Sequence, residues 1–125
     1  MKTMYELVVE AHFASAHRLR EYDGNCERLH GHNWRIEVRL AGERLNDLGM
    51  LCDFRDAKRI VREVTGRFDH RYLNDIPPFD ELNPTTEHIA RHLFDEVSKR
   101  LPDGVRAVSV TAWESDGSGV TYRGD

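Results

Sequence analysis

The chain has 125 residues, 39% of them hydrophobic and 32% charged, and its 18 basic and 22 acidic residues leave a formal net charge of −4. That length suits one domain, 1–125, with a single core. The acidic balance gives no general pull toward nucleic acid or an anionic membrane, and no apolar run approaches the roughly 20 residues that span a bilayer. The opening segment MKTMYELVVEAHF sets acids and His among its apolar positions and does not read as a signal peptide. Without a secretory segment, Cys26 and Cys52 are expected as free thiols in a reducing cytoplasm.

Leu7, Val9, Ala11 and Phe13 share one parity and predict a first strand with one buried face. The polar stretch LREYDGNCERLHG then predicts a long loop. Over residues 32–41, Trp34, Ile36, Val38 and Leu40 alternate with Arg35, Glu37 and Arg39, which predicts a second half-buried strand. Asp53 is placed to cap a helix whose apolar stripe is Phe54, Ala57, Ile60, Val61, Val64 and Phe68. After the turn residues Asn74, Asp75, Pro77 and Pro78, Thr85 or Thr86 can cap a second helix. Its stripe runs through Ile89, Ala90, Leu93, Phe94, Val97 and Leu101, and Pro102, Asp103 and Gly104 end it.

Residues 105–113 alternate Val105, Ala107, Ser109, Thr111 and Trp113 against Arg106, Val108, Val110 and Ala112. They pair with 119–123 across a Ser-Asp-Gly-Ser turn. The order ββααββ predicts an α+β domain, a four-stranded antiparallel sheet with two helices on one face. Two unpaired sheet edges favour pairing between subunits.

His30 and His32 stand at i and i+2 where loop runs into strand, and in extended backbone such a pair shares a face. His17 continues the parity of Phe13 and Ser15, so a hairpin of the first two strands brings it near them. Three imidazoles without a fourth protein ligand suit a catalytic zinc with one position left open. The alternative is three unrelated loop histidines. His88 and His92, at i and i+4, flank the apolar stripe of the second helix and read as a solvated face.

Cys26 lies four residues before His30, either as a fourth ligand closing the site or as a thiolate base beside an open metal. Cys52, after Met50 and Leu51, reads as a small buried residue. Asp69-His70 is either an incidental surface pair or a group that orients and discharges a thiol. Glu114 is either a strand-end charge or a carboxylate that accepts paired N–H donors from a planar heterocycle.

Together FASAH at 13–17, CERLHGH at 26–32, FDHRYLND at 68–75, NPTTEHIA at 83–90 and WE at 113–114 resemble the motifs of the 6-pyruvoyl-tetrahydropterin synthase family, in the same order and nearly end to end. The resemblance implies the T-fold, in which the sheets of several subunits close into a barrel, and a homo-oligomer, commonly a hexamer, with sites at subunit boundaries. It implies zinc on His17, His30 and His32, and Cys26 as proton acceptor. It implies Asp69 and His70 as a relay reaching a neighbouring subunit, Glu114 as the pterin anchor, and pocket hydrogen bonds from Thr85 and Thr86.

The three residues between Cys26 and His30 resemble the carboxy-forming branch involved in queuosine synthesis. That branch is a lyase converting 7,8-dihydroneopterin triphosphate to 6-carboxy-5,6,7,8-tetrahydropterin, with acetaldehyde and triphosphate released. The pyruvoyl-forming branch tends to a longer insertion there, and a third branch places Glu near the Cys position. A non-catalytic zinc- or pterin-binding oligomer is the alternative of another class. Arg18, Arg20, Arg28 and Arg35 lie near the motif in sequence as candidates for holding the triphosphate.

Overall fold

A computed structural model of the chain describes residues 4–20 and 30–124, with the backbone alone at His30. The two long strands β1 (Tyr5–His17) and β2 (His30–Gly42) form an antiparallel pair in unbroken register from Tyr5↔Gly42 to His17↔His30. Their apolar parities meet on one face: Val9 faces Val38, Ala11 faces Ile36 and Phe13 faces Trp34, all buried. This face carries the core, and Trp34, Ile36, Val38 and Leu40 are fully enclosed.

Helix α1 (Phe54–Thr65) starts where the Asp53 carboxylate accepts from the Arg55 amide, satisfying one of the amides a helix start leaves open. It lays Ala57, Ile60, Val61 and Val64 on the core, packing over β1. Phe68 lies just past the helix and is still buried. Helix α2 (Thr86–Ser98) is capped by the Thr85 hydroxyl, which accepts from the His88 amide. It buries Ile89, Ala90, Leu93 and Val97 against β4 (Arg106–Ser115) and β5 (Ser118–Arg123). Among the described residues, no helix is long and apolar enough to cross a membrane.

Among the described residues the sheet has five strands, ordered β3-β1-β2-β4-β5, rather than the four expected. The addition is β3 (Arg71–Tyr72), two residues pairing parallel with Ser15 and Ala16 at the edge of β1. A strand this short carries no periodicity that a sequence could display. The expected 105–113 alternation is also interrupted. Arg39 pairs with Ser109 but Leu40 pairs with Ala107, so Val108 is an extra residue on β4. The core-facing parity consequently passes from Ala107 to Val110 and Ala112, while Thr111 and Trp113 turn to the open face.

Candidate metal centre

The site forms at the end of the sheet where β1 stops and β2 begins, under the first turn of α2. The hairpin register puts His17 opposite His30 and Ser15 opposite His32, so the backbone brings the three histidine positions together as the parity argument expects. His17 is 1% exposed. Its ring stands edge-on to Trp34 at 5.2 Å and to His32 at 5.1 Å, and His32 in turn stands edge-on to Trp34 at 5.4 Å. The indole is thus the floor on which both imidazoles are set.

Nδ1 of His17 is 2.9 Å from the Pro84 carbonyl, which can only accept. The proton therefore sits on Nδ1, and Nε2 carries the lone pair, the arrangement in which a backbone carbonyl orients a metal-binding histidine. Pro84 is held in place from a distance. Asn74 grips the backbone of Arg18 at both ends, its Oδ1 accepting from the amide at 2.9 Å and its Nδ2 donating to the carbonyl at 2.9 Å. Asn83 does the same for Arg20, at 2.8 and 3.4 Å. These two clamps tie the segment after β1 to the loop that carries Pro84 into α2.

Glu114 reaches the site through a second irregularity. Trp113 pairs with Gly119 and Ser115 with Ser118, so Glu114 is the residue a bulge adds to β4. Its Oε1 lies 2.9 Å from Nε2 of His32, and its Oε2 accepts from the Thr86 hydroxyl at 2.8 Å. One ligand atom from each of His17, His32 and Glu114 lies within 4.8 Å of the others, a group that could hold a metal ion. Imidazole nitrogen and carboxylate oxygen are the donors that zinc takes at about 2.0–2.2 Å, so the residues present fit such an ion.

Cys26 and the side chain of His30 lie outside the described residues, as does Arg28. Asp69 and His70 sit at the edge of β1. The Asp69 carboxylate accepts from the Ala14 amide at 2.9 Å, and the His70 amide donates to the Ala14 carbonyl at 2.6 Å. The His70 ring is 3.5 Å from Asp69 Oδ1 and 80% exposed, on a backbone with φ of 57°. With Ala14, Gly31, His32 and Asn33 it borders an open cavity of about 450 Å³. Thr86 turns to Glu114, whereas the Thr85 hydroxyl is occupied as the helix cap.

Other candidates fall away from the site. The Arg20 guanidinium donates to the carbonyls of Asn74, Phe79, Asp80 and Leu82, which makes it a loop fastener. Arg35 pairs with Glu10 at 3.2 Å and lies over the Trp113 ring on the open face. The expectation of a solvated His88–His92 face is corrected. His88 is half-buried with Nδ1 on the Asn83 carbonyl at 2.7 Å, and His92 is wedged between Phe68 and Phe79 at 5.7 and 5.5 Å. Cys52 is half-buried at the core margin, where burial, with Asp56 and Asp53 adding, pushes its thiol up and away from thiolate chemistry.

The family model described as 6-pyruvoyl tetrahydropterin synthase matches residues 6–125. The 6-carboxy-5,6,7,8-tetrahydropterin synthase of Bacillus subtilis is 36% identical over 102 residues, covering 78% of this chain and 68% of its own. The dihydroneopterin monophosphate aldolase of Pyrococcus furiosus is 35% identical over 114 residues, 91% of this chain and 93% of its own. The solved 6-pyruvoyl tetrahydropterin synthase of Caenorhabditis elegans superposes with a TM-score of 0.87 at 27% identity, covering 99% of this chain and 98% of that one. Fold, motifs and relatives agree, and the chain belongs to the 6-pyruvoyl tetrahydropterin synthase family.

Proposed function

We propose that this protein is a zinc-dependent lyase of the cytoplasm that converts 7,8-dihydroneopterin triphosphate to 6-carboxy-5,6,7,8-tetrahydropterin, releasing acetaldehyde and triphosphate, in the route to queuosine. The observation that carries this reading is the convergence of His17, His32 and Glu114 under the first turn of α2, in a chain whose relatives process pterins. The carboxy-forming outcome is supported by the three residues between Cys26 and His30 and by the name of the Bacillus subtilis relative.

His17, His30 and His32 would hold the zinc, which when bound supplies Lewis-acid stabilisation of negative charge developing on the substrate side chain. The remaining roles belong to the chain. Glu114 accepts the N–H donors of the pterin ring and so fixes which carbon of the side chain faces the base. Thr86 aims that carboxylate through its hydrogen bond to Oε2. Thr85 sets the start of α2 beneath it.

Cys26 takes a side-chain proton as thiolate, standing beside the metal rather than on it. His70 receives that proton with Asp69 behind it. His70 would serve a neighbouring subunit's site in a homo-oligomer, a hexamer, whose sheets close into a barrel, a reading supported by its 80% exposure at a sheet edge. Proton redistribution expels triphosphate and leaves carbonyls on the two inner carbons of the side chain. Addition of one water to the carbonyl next to the ring, followed by cleavage of the carbon–carbon bond beyond it, leaves the ring carboxylate and releases the outer two carbons as acetaldehyde.

The test is incubation of the zinc-loaded chain with 7,8-dihydroneopterin triphosphate, with products identified by mass spectrometry and acetaldehyde assayed separately. The carboxy product with acetaldehyde supports the proposal. A pyruvoyl product without acetaldehyde assigns the sister reaction instead, and turnover of the monophosphate alone assigns the aldolase activity.

A further inference from the structure

Glu114 is asked to serve two partners with one carboxylate. To anchor a pterin it must point its oxygens at paired ring N–H donors. In the chain as folded, Oε2 is held by Thr86 at 2.8 Å and Oε1 stands 2.9 Å from His32 Nε2. Ligand atoms sharing one ion at about 2.0–2.2 Å lie about 3–4 Å apart, so His17, His32 and Glu114, whose ligand atoms already lie within 4.8 Å of one another, need only small rotations to close on a metal. The bulge that adds Glu114 to β4 gives the carboxylate this reach.

The geometry points to a displaceable ligand: at rest Glu114 Oε1 completes the metal's coordination, and an arriving pterin ring draws the carboxylate away, leaving a coordination position open only when the ring is in place. Thr86 keeps Oε2 in both states and acts as the pivot. Solvent is thereby denied the open position until substrate is bound. This inference rests on the pterin reading of the site and deepens it.

The test uses the full chain loaded with Co²⁺, whose visible absorption reports coordination number and geometry. The probe is 6-methylpterin, which has the ring but no side-chain hydroxyl to ligate the metal. Ring binding, followed by pterin fluorescence, is expected to change the cobalt spectrum in step with occupancy. Glu114→Gln is expected to show an altered spectrum without the probe. It should also lose metal affinity against a competing chelator by at least the roughly 10- to 100-fold typical of groups that merely support a ligand. The wild-type titration needs no variant, so it stands even where a variant fails to fold. Bound 6-methylpterin with an unchanged cobalt spectrum overturns the displacement and leaves the pterin reading intact. Wild-type metal affinity in folded Glu114→Gln overturns the ligation. A loaded protein that binds no 6-methylpterin overturns the pterin reading itself, and this inference with it.

Discussion

Thr86, the first residue of α2, donates its hydroxyl to Glu114 near the end of β4, 28 residues later in the chain, at 2.8 Å. Thr86 is 8% exposed, so the bond is shielded and the carboxylate is aimed by the helix start itself. A hydrogen bond to a charged group contributes about 1.5–3 kcal/mol. Thr86→Val should therefore lower the melting temperature by several degrees. With the carboxylate no longer aimed, it should also lower affinity for a pterin ring by about 10- to 100-fold, and Thr86→Ser should restore most of both. Fluorescence titration of both variants with 6-methylpterin checks this. Equal affinity in Thr86→Val would show that the hydroxyl does not aim the carboxylate.

The Asn74 clamp predicts a coupling of stability to metal binding. Asn74→Ala removes both bonds to the Arg18 backbone and leaves that amide and carbonyl, beside His17, to find other partners. Two such bonds at about 1 kcal/mol each, with a further cost for unpaired buried groups, place the loss near 2–3 kcal/mol. Urea denaturation of the metal-free protein reads the stability, and chelator competition reads the weaker metal retention. A variant unstable but unaltered in metal affinity would mean the clamp does not position His17.

His92 makes the fold acid-sensitive. Burial between Phe68 and Phe79 lowers its pKa below the ordinary 6.5, with Glu96 and Asp95 opposing and Arg67 and Lys99 assisting. Above that ordinary value both folded and unfolded chains hold the ring neutral, and it contributes no pH dependence. As pH falls through it, the unfolded chain takes up the proton first, so stability drops until the folded-state pKa is passed. His92→Phe should flatten the change in urea midpoint between about pH 7.5 and about pH 5. An unchanged slope would place the acid sensitivity elsewhere.

The Asp69–His70 pair predicts complementation between subunits. If His70 serves a neighbour's site, mixed oligomers of Cys26→Ala and His70→Ala chains regain turnover that neither parent has. The positive φ of His70 costs a non-glycine residue roughly 1–2 kcal/mol. His70→Gly should accordingly match or exceed the wild type in stability while losing turnover. Mixed oligomers without activity would confine the relay to one chain.

Much of this was legible in the sequence because strand parity is strict. Phe13, Ser15 and His17 on one strand and His32 and Trp34 on the next had to share a face once the hairpin formed, and they do. The helix caps Asp53 and Thr85 were equally local signals. What stayed hidden depends on contacts between distant segments. Asn74 and Asn83 read as turn residues, yet each grips backbone that is more than 50 positions away. His92 reads as solvated on a helical wheel, because nothing there shows that Phe68 and Phe79 will cover it. The bulges at Val108 and Glu114 were invisible because both parities of β4 carry apolar residues, so a one-residue shift leaves the pattern intact.

The central claim is that the histidines at the β1–β2 end hold a metal on which pterin chemistry depends. The most direct measurement follows acetaldehyde and 6-carboxy-5,6,7,8-tetrahydropterin formation from 7,8-dihydroneopterin triphosphate by one preparation, as loaded with zinc, after chelation, and after zinc is returned. The account predicts turnover, its loss, and its recovery, with the fold retained throughout by far-UV circular dichroism. Product formation undiminished in the metal-free chain, or absent from the zinc-loaded one, would contradict it.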